Sequence, residues 1–352
     1  MQAVLTSTRR VRMGIAGLGR LGQFHAENMA GRAPSIELVR VVDPIQDVAR
    51  STGERLGVPW STAFDDLLND PTLEAVVIAS PTAYHAPMIQ QAAAAGKQIF
   101  CEKPISLERE PTERAIAAAR AAGVKLQIGF HRRFDPDWAA ATRRITAGEL
   151  GEVYLFRTSL RDMRPPSIDY IRTSGGFFVD VTVHDFDTAR WMIGEIDEVS
   201  AFGAALSDPA FAAVGDIDNA VVVLRFASGA LGVIDNSRVA GYGYECSTEV
   251  MGSRATARVG YHRRANLEWL TPGAASVDHV SNFIERYPRA YVLELEEFAA
   301  AVRADRPVAV TGEDALAAFT LAQAADRSYR QGGGAVRVRH ADRAGQVVYV
   351  LA

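Results

Sequence analysis

Residues 11–22 read Val11-Arg12-Met13-Gly14-Ile15-Ala16-Gly17-Leu18-Gly19-Arg20-Leu21-Gly22: an apolar run that predicts a strand, then three glycines spaced G-x-G-x-x-G, then the start of a predicted helix. Alone the pattern is weak; its meaning comes from its place. After a strand, the first glycine makes a tight turn, the second lets backbone approach a pyrophosphate, and the third lets helix and strand pack closely. The helix that opens there offers free N–H groups and a partial positive charge to phosphate, which makes Gly17, Gly19, Arg20, Leu21 and Gly22 the candidate contacts. Asp43 ends the second apolar run, about 20 residues further on, where an acid meets ribose hydroxyls. A carboxylate there repels a 2′-phosphate, and Pro44 follows it instead of an arginine, so NAD is favoured over NADP. The competing reading, a glycine-rich turn that binds nothing, does not explain why strand, loop, helix and acid stand in register.

Outward from this stretch, apolar runs at 36–43, 74–80, 97–101 and 124–130 alternate with amphipathic segments, the clearest at 111–122 with Pro111 near its start and Gly123 after its end. That alternation predicts a parallel sheet with helices on both faces. After His131 the rhythm changes. Helices are predicted at 136–147 and 179–193, and strands at 152–161, 199–206, 219–226, 231–237, 248–252, 256–259 and 267–270. Short turns such as Ala227-Ser228-Gly229 join them. Helices at 290–304 and 313–331 follow, then the glycine run 332–334 and a hairpin of 336–339 with 347–351. The fold class is therefore α/β plus α+β. A Rossmann dinucleotide-binding domain over 1–131 is expected to precede an α+β domain over 132–352, built on a largely antiparallel, open-faced sheet and expected to serve substrate binding and oligomerisation. Few helices remain to cover the second sheet, and an exposed apolar face finds a partner.

The chain has 352 residues, enough for two domains, with 48% hydrophobic and 23% charged side chains, the balance of a globular protein. A net charge of −4 excludes general attraction to a polyanion, so nucleic acid is not an expected partner. Cys101 and Cys246 give no disulfide framework, and a reducing cytoplasm is the expected location. No apolar run approaches the roughly 20 residues that cross a bilayer. The opening MQAVLTSTRR lacks the apolar core of a signal peptide, and residues 1–10 read as a short frayed lead-in.

Two further segments carry chemistry. Cys101-Glu102-Lys103-Pro104 follows the run 97–101 at the carboxyl edge of the first sheet, where doubly wound folds bind ligands, so Lys103 can reach the nicotinamide end of a cofactor. A solvated surface lysine is the plainer alternative. In Gly175-Gly176-Phe177-Phe178-Val179-Asp180-Val181-Thr182-Val183-His184-Asp185-Phe186-Asp187, a helix from Val179 sets Asp180 and His184 at i and i+4, where a carboxylate orients an imidazole. A capping or core histidine is one alternative. A metal held by His184 with Asp185 or Asp187 is another, disfavoured because no Cys or second His stands at ligand spacing; no metal is expected.

With these segments the chain resembles the family of glucose-fructose oxidoreductases and inositol dehydrogenases over most of residues 11–331. Ser80-Pro81 with His85, Glu102-Lys103-Pro104, the stretch Gly129-Phe130-His131-Arg132-Arg133-Phe134-Asp135 and the segment 174–187 all fit. Arg161-Asp162, Pro165-Pro166, Asp169-Tyr170-Ile171, Asn236-Ser237-Arg238, Tyr242-Gly243-Tyr244 and Glu285-Arg286-Tyr287 are similar to the branch of NAD-dependent inositol 2-dehydrogenases. The resemblance implies oxidation of a secondary hydroxyl of a cyclic polyol, myo-inositol to 2-keto-myo-inositol (scyllo-inosose), with NADH formed. It implies a catalytic set of Lys103, Asp180 and His184. It adds Ser80, Pro81, His85, Glu102 and Lys103 to the cofactor contacts, and implies substrate contacts from Lys103, Arg133, Arg161, Asp162, Asp180, His184 and Tyr244. It further implies a homo-oligomer, a dimer or a homotetramer.

The chain departs from that branch where Glu245-Cys246-Ser247 replaces the usual Asp-Gln-Arg and where His131 replaces asparagine. Another inositol isomer or an aldopyranose therefore stays open as substrate. Surface or interdomain salt bridges stay open as the role of Arg133, Arg161 and Arg164. An NAD-dependent glycosidase and a non-catalytic nucleotide sensor are the competing functions.

Overall fold

The computed structural model of the chain describes residues 9–260, 263–265, 267–343 and 346–351. Residues 1–8 of the expected lead-in lie outside the described residues. The chain divides into two compact units, residues 1–131 with 289–315 and residues 132–288 with 316–352.

The first unit carries a six-stranded parallel sheet of β1 (Val11–Ala16), β2 (Ile36–Val42), β3 (Trp60–Ser61), β4 (Ala75–Ile78), β5 (Gln98–Cys101) and β6 (Leu126–Ile128) in the order β3-β2-β1-β4-β5-β6. The chain order reverses between β1 and β4, which makes their carboxyl ends the switch point at which such sheets bind ligands. All four residues of β4 are fully buried, as strands covered on both faces must be. Two-residue β3 is too short to leave a periodic signal in sequence.

Residues 289–315, which the sequence reading assigns to the second domain, pack in the first unit instead. The helix Pro288–Arg303 sets Leu295, Phe298 and Ala299 into one core with Val11, Met13, Val41, Val77 and Phe100, while Val302 packs against it. Those helix positions recur at i, i+3, i+4 and i+7, a single apolar stripe that finds its cover on this sheet. Beyond it, the Ile128 N–H on β6 donates to the Val310 carbonyl at 3.1 Å.

The second unit is built on an eight-stranded sheet, ordered β12-β11-β7-β10-β9-β8-β15-β16. Its strands are β7 (Val153–Arg161), β8 (Ile196–Ala204), β9 (Asn219–Phe226), β10 (Leu231–Ser237), β11 (Glu245–Gly252), β12 (Thr256–Val259), β15 (Val336–Arg343) and β16 (Gln346–Leu351). β13 (Trp269–Thr271) and β14 (Ala274–Ser276) form a separate ribbon. The sheet is largely antiparallel, with one difference from a wholly antiparallel meander: central strands β7 and β10 run parallel. The terminal hairpin docks on it through β15, where Val336 pairs with Val199.

One face of this sheet buries Phe156, Thr158, Val222, Leu224, Ile234 and Val250. The helix Pro136–Thr146 reaches it through Trp138, whose Nε1–H donates to Thr248 Oγ1 at 3.3 Å. Alternate positions present Phe202, Val221, Val223, Leu231 and Met251 to solvent, at 57, 46, 43, 46 and 39% exposure, so within this unit the second face is open and apolar. Among the described residues no helix is long and apolar enough to cross a membrane.

If Phe298 anchors the returning helix, Phe298→Ala lowers the unfolding free energy by about 3–5 kcal/mol in urea titrations. A loss below about 1 kcal/mol would contradict its place in that core.

Candidate active site

The glycine turn divides its work by position. Gly17 has φ +92°, and a Cβ there would stand 2.4 Å from the Ser80 nitrogen; at Gly22 it would stand 1.9 Å from the Gly17 carbonyl oxygen. Both residues must lack a side chain for the backbone to pack. At Gly19 a Cβ would meet nothing within 4 Å, so the middle glycine borders open space. Gly19 is also the N-cap of the helix Arg20–Gly31 and supplies no capping side chain, which leaves the first N–H groups available. Arg20 is exposed beside that terminus and Leu21 is half-buried.

Asp43, at the end of β2, ties the turn to its neighbour. Leu18 N–H donates to Oδ2 at 2.8 Å and Ile45 N–H to Oδ1 at 2.9 Å. Each carboxylate oxygen keeps a lone pair for a ribose hydroxyl. An open middle glycine, uncapped helix N–H groups and an acid at the second strand fit a dinucleotide with unphosphorylated ribose.

Ser80, Pro81 and His85 follow β4, and Glu102, Lys103 and Pro104 follow β5, so the first unit gathers every expected cofactor residue at the carboxyl edge of its sheet. His85 does not face solvent. Its Nδ1 lies 2.7 Å from the Pro104 carbonyl oxygen and its Nε2 2.7 Å from the Ser80 carbonyl oxygen, so the ring staples one strand's turn to the next. Burial lowers the imidazole pKa, against the opposing pull of the two carbonyls. Half-buried Lys103 stands between Glu102, which is buried, and the stapled Pro104.

In the second unit the helix expected from 179 begins differently. Phe178–Thr182 forms a π-helical turn, and regular helix runs over Val183–Ile193. Gly175 and Gly176, at φ +86° and +90°, deliver the chain into it. Asp180 thus stands in the wider turn and His184 one residue into the regular helix, a change of pitch frequent at functional sites. Asp180 Oδ1 accepts from the Tyr170 hydroxyl at 2.8 Å and Oδ2 from Arg238 Nη1 at 2.9 Å. Arg238 is 1% exposed, stacked 5.4 Å from the Phe177 ring centre. Burial, then the charge of Asp180, push the Tyr170 hydroxyl pKa up, so it stays a donor. His184 is half-buried, with Nδ1 inside.

Asp185 and Asp187 are committed elsewhere. Arg132 Nη1 donates to Asp185 Oδ1 at 2.6 Å, Asn236 donates to Oδ2 at 2.9 Å, and Arg133 grips Asp187 through two nitrogens, Nε at 2.9 Å. This pairing tells against a metal held by His184 with either acid. It also gives Arg133 the salt bridge that the sequence left open beside a substrate contact. Arg161 pairs with Asp235, Nε at 3.0 Å, on the sheet face opposite Thr158, which hydrogen-bonds to Asp185 of the helix Val183–Ile193. The structure thus separates Arg161 from that helix by the thickness of the sheet. Asp162 follows β7 and donates its N–H to the Ser237 carbonyl, and Tyr244 is buried. His131 stacks on Tyr291 at 4.6 Å. Tyr170 and Arg238 stand in segments that the sequence singles out without assigning them a role, and nothing local in the sequence marks them as partners of Asp180.

Residues 11–130 match the model of the oxidoreductase family with NAD-binding Rossmann fold, and residues 138–258 that of the GFO/IDH/MocA C-terminal domain. The chain is 39% identical over 325 residues to scyllo-inositol 2-dehydrogenase (NAD(+)) of Bacillus subtilis (strain 168), covering 92% of this chain and 95% of that protein. It is 41% identical over 326 residues to myo-inositol 2-dehydrogenase of Thermotoga maritima, covering 91% and 97%. Among solved structures, scyllo-inositol dehydrogenase from Lactobacillus casei with bound NAD(H) and scyllo-inositol is similar with a TM-score of 0.88 at 28% identity, covering 94% and 99%.

Gly19→Ala separates binding from folding. It is expected to leave the melting temperature within about 2 °C while weakening NAD binding at least about tenfold in a fluorescence titration. Unchanged NAD affinity would remove the pyrophosphate from this turn.

Proposed function

The chain belongs to the GFO/IDH/MocA oxidoreductase family, and from that premise we propose that it oxidises a secondary hydroxyl of a cyclic polyol, myo-inositol to 2-keto-myo-inositol. The observation that carries the chemistry is the Asp180 carboxylate, held by Arg238 and Tyr170 four residues before His184. The choice of polyol is supported by likeness to two inositol dehydrogenases at 39% and 41% identity. One of them is named for scyllo-inositol, which keeps that isomer as the second substrate to test.

NAD, when bound, accepts the hydride that leaves the carbinol carbon. That departure requires loss of the hydroxyl proton, and His184 takes it as general base through Nε2, since Nδ1 is buried; such a base is worth about 10²- to 10⁴-fold. Asp180, paired with Arg238, accepts from a second substrate hydroxyl. Lys103 stabilises the alkoxide charge as it develops. In the reverse direction His184 returns the proton. Asp162 and Tyr244 complete the proposed substrate contacts, and Gly17, Gly19, Arg20, Leu21, Gly22, Asp43, Ser80 and Pro81 those to the cofactor.

A second copy of the chain is the proposed occupant of the open sheet face, giving a dimer or tetramer. The apolar centre of Phe202, Val221 and Val223, rimmed by Glu198, Arg225 and Asp235 on the same face, suits a self-complementary interface. The same reading assigns the enzyme to the cytoplasm, in keeping with the buried free thiols of Cys101 and Cys246.

Purified protein mixed with NAD and myo-inositol should produce NADH. His184→Ala should lower kcat at least about 100-fold with NAD affinity within about twofold of wild type. No turnover across a panel of inositols and aldoses would defeat the reading. In light scattering the wild type should exceed the mass of one chain, and Val221→Lys with Val223→Lys should reduce it toward one chain; a single-chain wild type would refute the interface.

A further inference from the structure

Beside the Lys103 turn, the first unit buries three ionisable side chains that the proposed chemistry leaves unused: His25 on the helix Arg20–Gly31, Glu102 after β5, and Glu294 on the helix Pro288–Arg303. Their exposures are 0, 6 and 0%. One nitrogen or oxygen from each lies within 4.8 Å of those of the other two. His25 Nε2 is 2.7 Å from Glu102 Oε1. Both Glu294 oxygens are buried and, among the described residues, receive no hydrogen bond.

Among the described residues no cation donates a hydrogen bond to Glu294. His25 packs edge-on against Phe100 and Tyr291, both at 5.6 Å between ring centres, and His131 stacks on Tyr291. Gln127 donates to the Glu294 backbone carbonyl at 2.9 Å, and to no oxygen of its side chain. Burial, then the charge of Glu102, push the Glu294 carboxyl pKa far above the ordinary carboxylate range. Two carboxylates this close and this buried do not both ionise, whereas one proton between them satisfies both.

We propose that Glu294 is a neutral carboxylic acid at physiological pH, that it donates its proton to the Glu102 carboxylate, and that with His25 it thereby fixes the turn carrying Lys103. Glu294 is a positioning residue: it acts through Glu102. The surrounding fold supports that path. The Glu102 N–H donates to the Ile78 carbonyl at 2.9 Å, and a Cβ on Gly129 would stand 2.9 Å from each Glu102 carboxylate oxygen, so the pocket is closed around that side chain. On the far side of Lys103, the His85 ring holds the Pro104 carbonyl. Lys103 is therefore flanked by two held neighbours, Glu102 in the carboxyl pair and Pro104 against the imidazole.

The kinetic consequence rests on the proposed role of Lys103, but the protonation state does not, and the test separates them. Infrared spectra of the wild type at pH 8, where ordinary carboxyls are ionised, should contain a protonated carboxylic-acid carbonyl band that Glu294→Gln abolishes. Glu294→Gln retains a neutral donor and should keep kcat within about threefold. Glu294→Leu removes the donor and should lower kcat at least about tenfold, with KM for NAD within about twofold and native circular dichroism. No band, a band that survives Glu294→Gln, or equal kinetic loss in both variants would overturn the proposal. So would a Zn²⁺- or Mn²⁺-induced rise in melting temperature that Glu294→Gln removes, because the cluster would then be a cation site. If no polyol is oxidised, the dehydrogenase reading falls while the infrared band still decides the state of Glu294.

Discussion

With only 1.9 Å between a Cβ built on Gly22 and the Gly17 carbonyl oxygen, the helix Arg20–Gly31 is seated on the very turn that ends β1. That seat decides what the helix presents. Its N-terminus faces the open space beside Gly19, and less than a turn past Gly22 it carries His25 to the carboxylate of Glu102. One close approach thus serves a phosphate-binding terminus on one side and the support of the Lys103 turn on the other. Asp43 braces the same turn from β2 through the Leu18 N–H. A residue with a side chain at position 22 would lift the helix and disturb all of these together.

The second unit solves a different problem, the holding of charged groups inside. Arg132 with Asp185, Arg133 with Asp187 and Arg238 with Asp180 are ion pairs whose arginine side chains are 3, 9 and 1% exposed. Such pairs add little net stability, but losing one partner leaves a buried charge, at about 3–5 kcal/mol. Two of them lock the helix Val183–Ile193 to the residues just after His131. The third grips the π-helical turn and sets a guanidinium against the carboxylate that the proposed chemistry uses.

Much of this was legible in the sequence because the informative signals are local. The run 11–22 reads as strand, turn and helix from spacing alone, and the strands 219–226, 231–237 and 256–259 emerge with their alternation intact. What sequence left open depends on distant partners. The stripe Leu295, Phe298, Ala299 and Val302 declares a buried helix face without saying which sheet covers it, and the answer was the first. The π-helical turn at 178–182 precedes the regular helix, and apolar spacing in the sequence does not distinguish it from α-helix. Arg238 lies 58 residues from the Asp180 it holds, and no periodicity links them. Arg133 and Arg161 pair with acids 54 and 74 residues away, partners that spacing in the sequence does not point to.

On this chain hydride is expected to pass from a ring carbon of a polyol to NAD. That transfer is tested most directly with myo-inositol deuterated at C2, by recovering the reduced cofactor and measuring its isotope content by mass spectrometry. One deuterium per reduced nicotinamide is expected, with a slower turnover than with unlabelled substrate. Reduced cofactor free of deuterium, or no reduced cofactor at all, would contradict it.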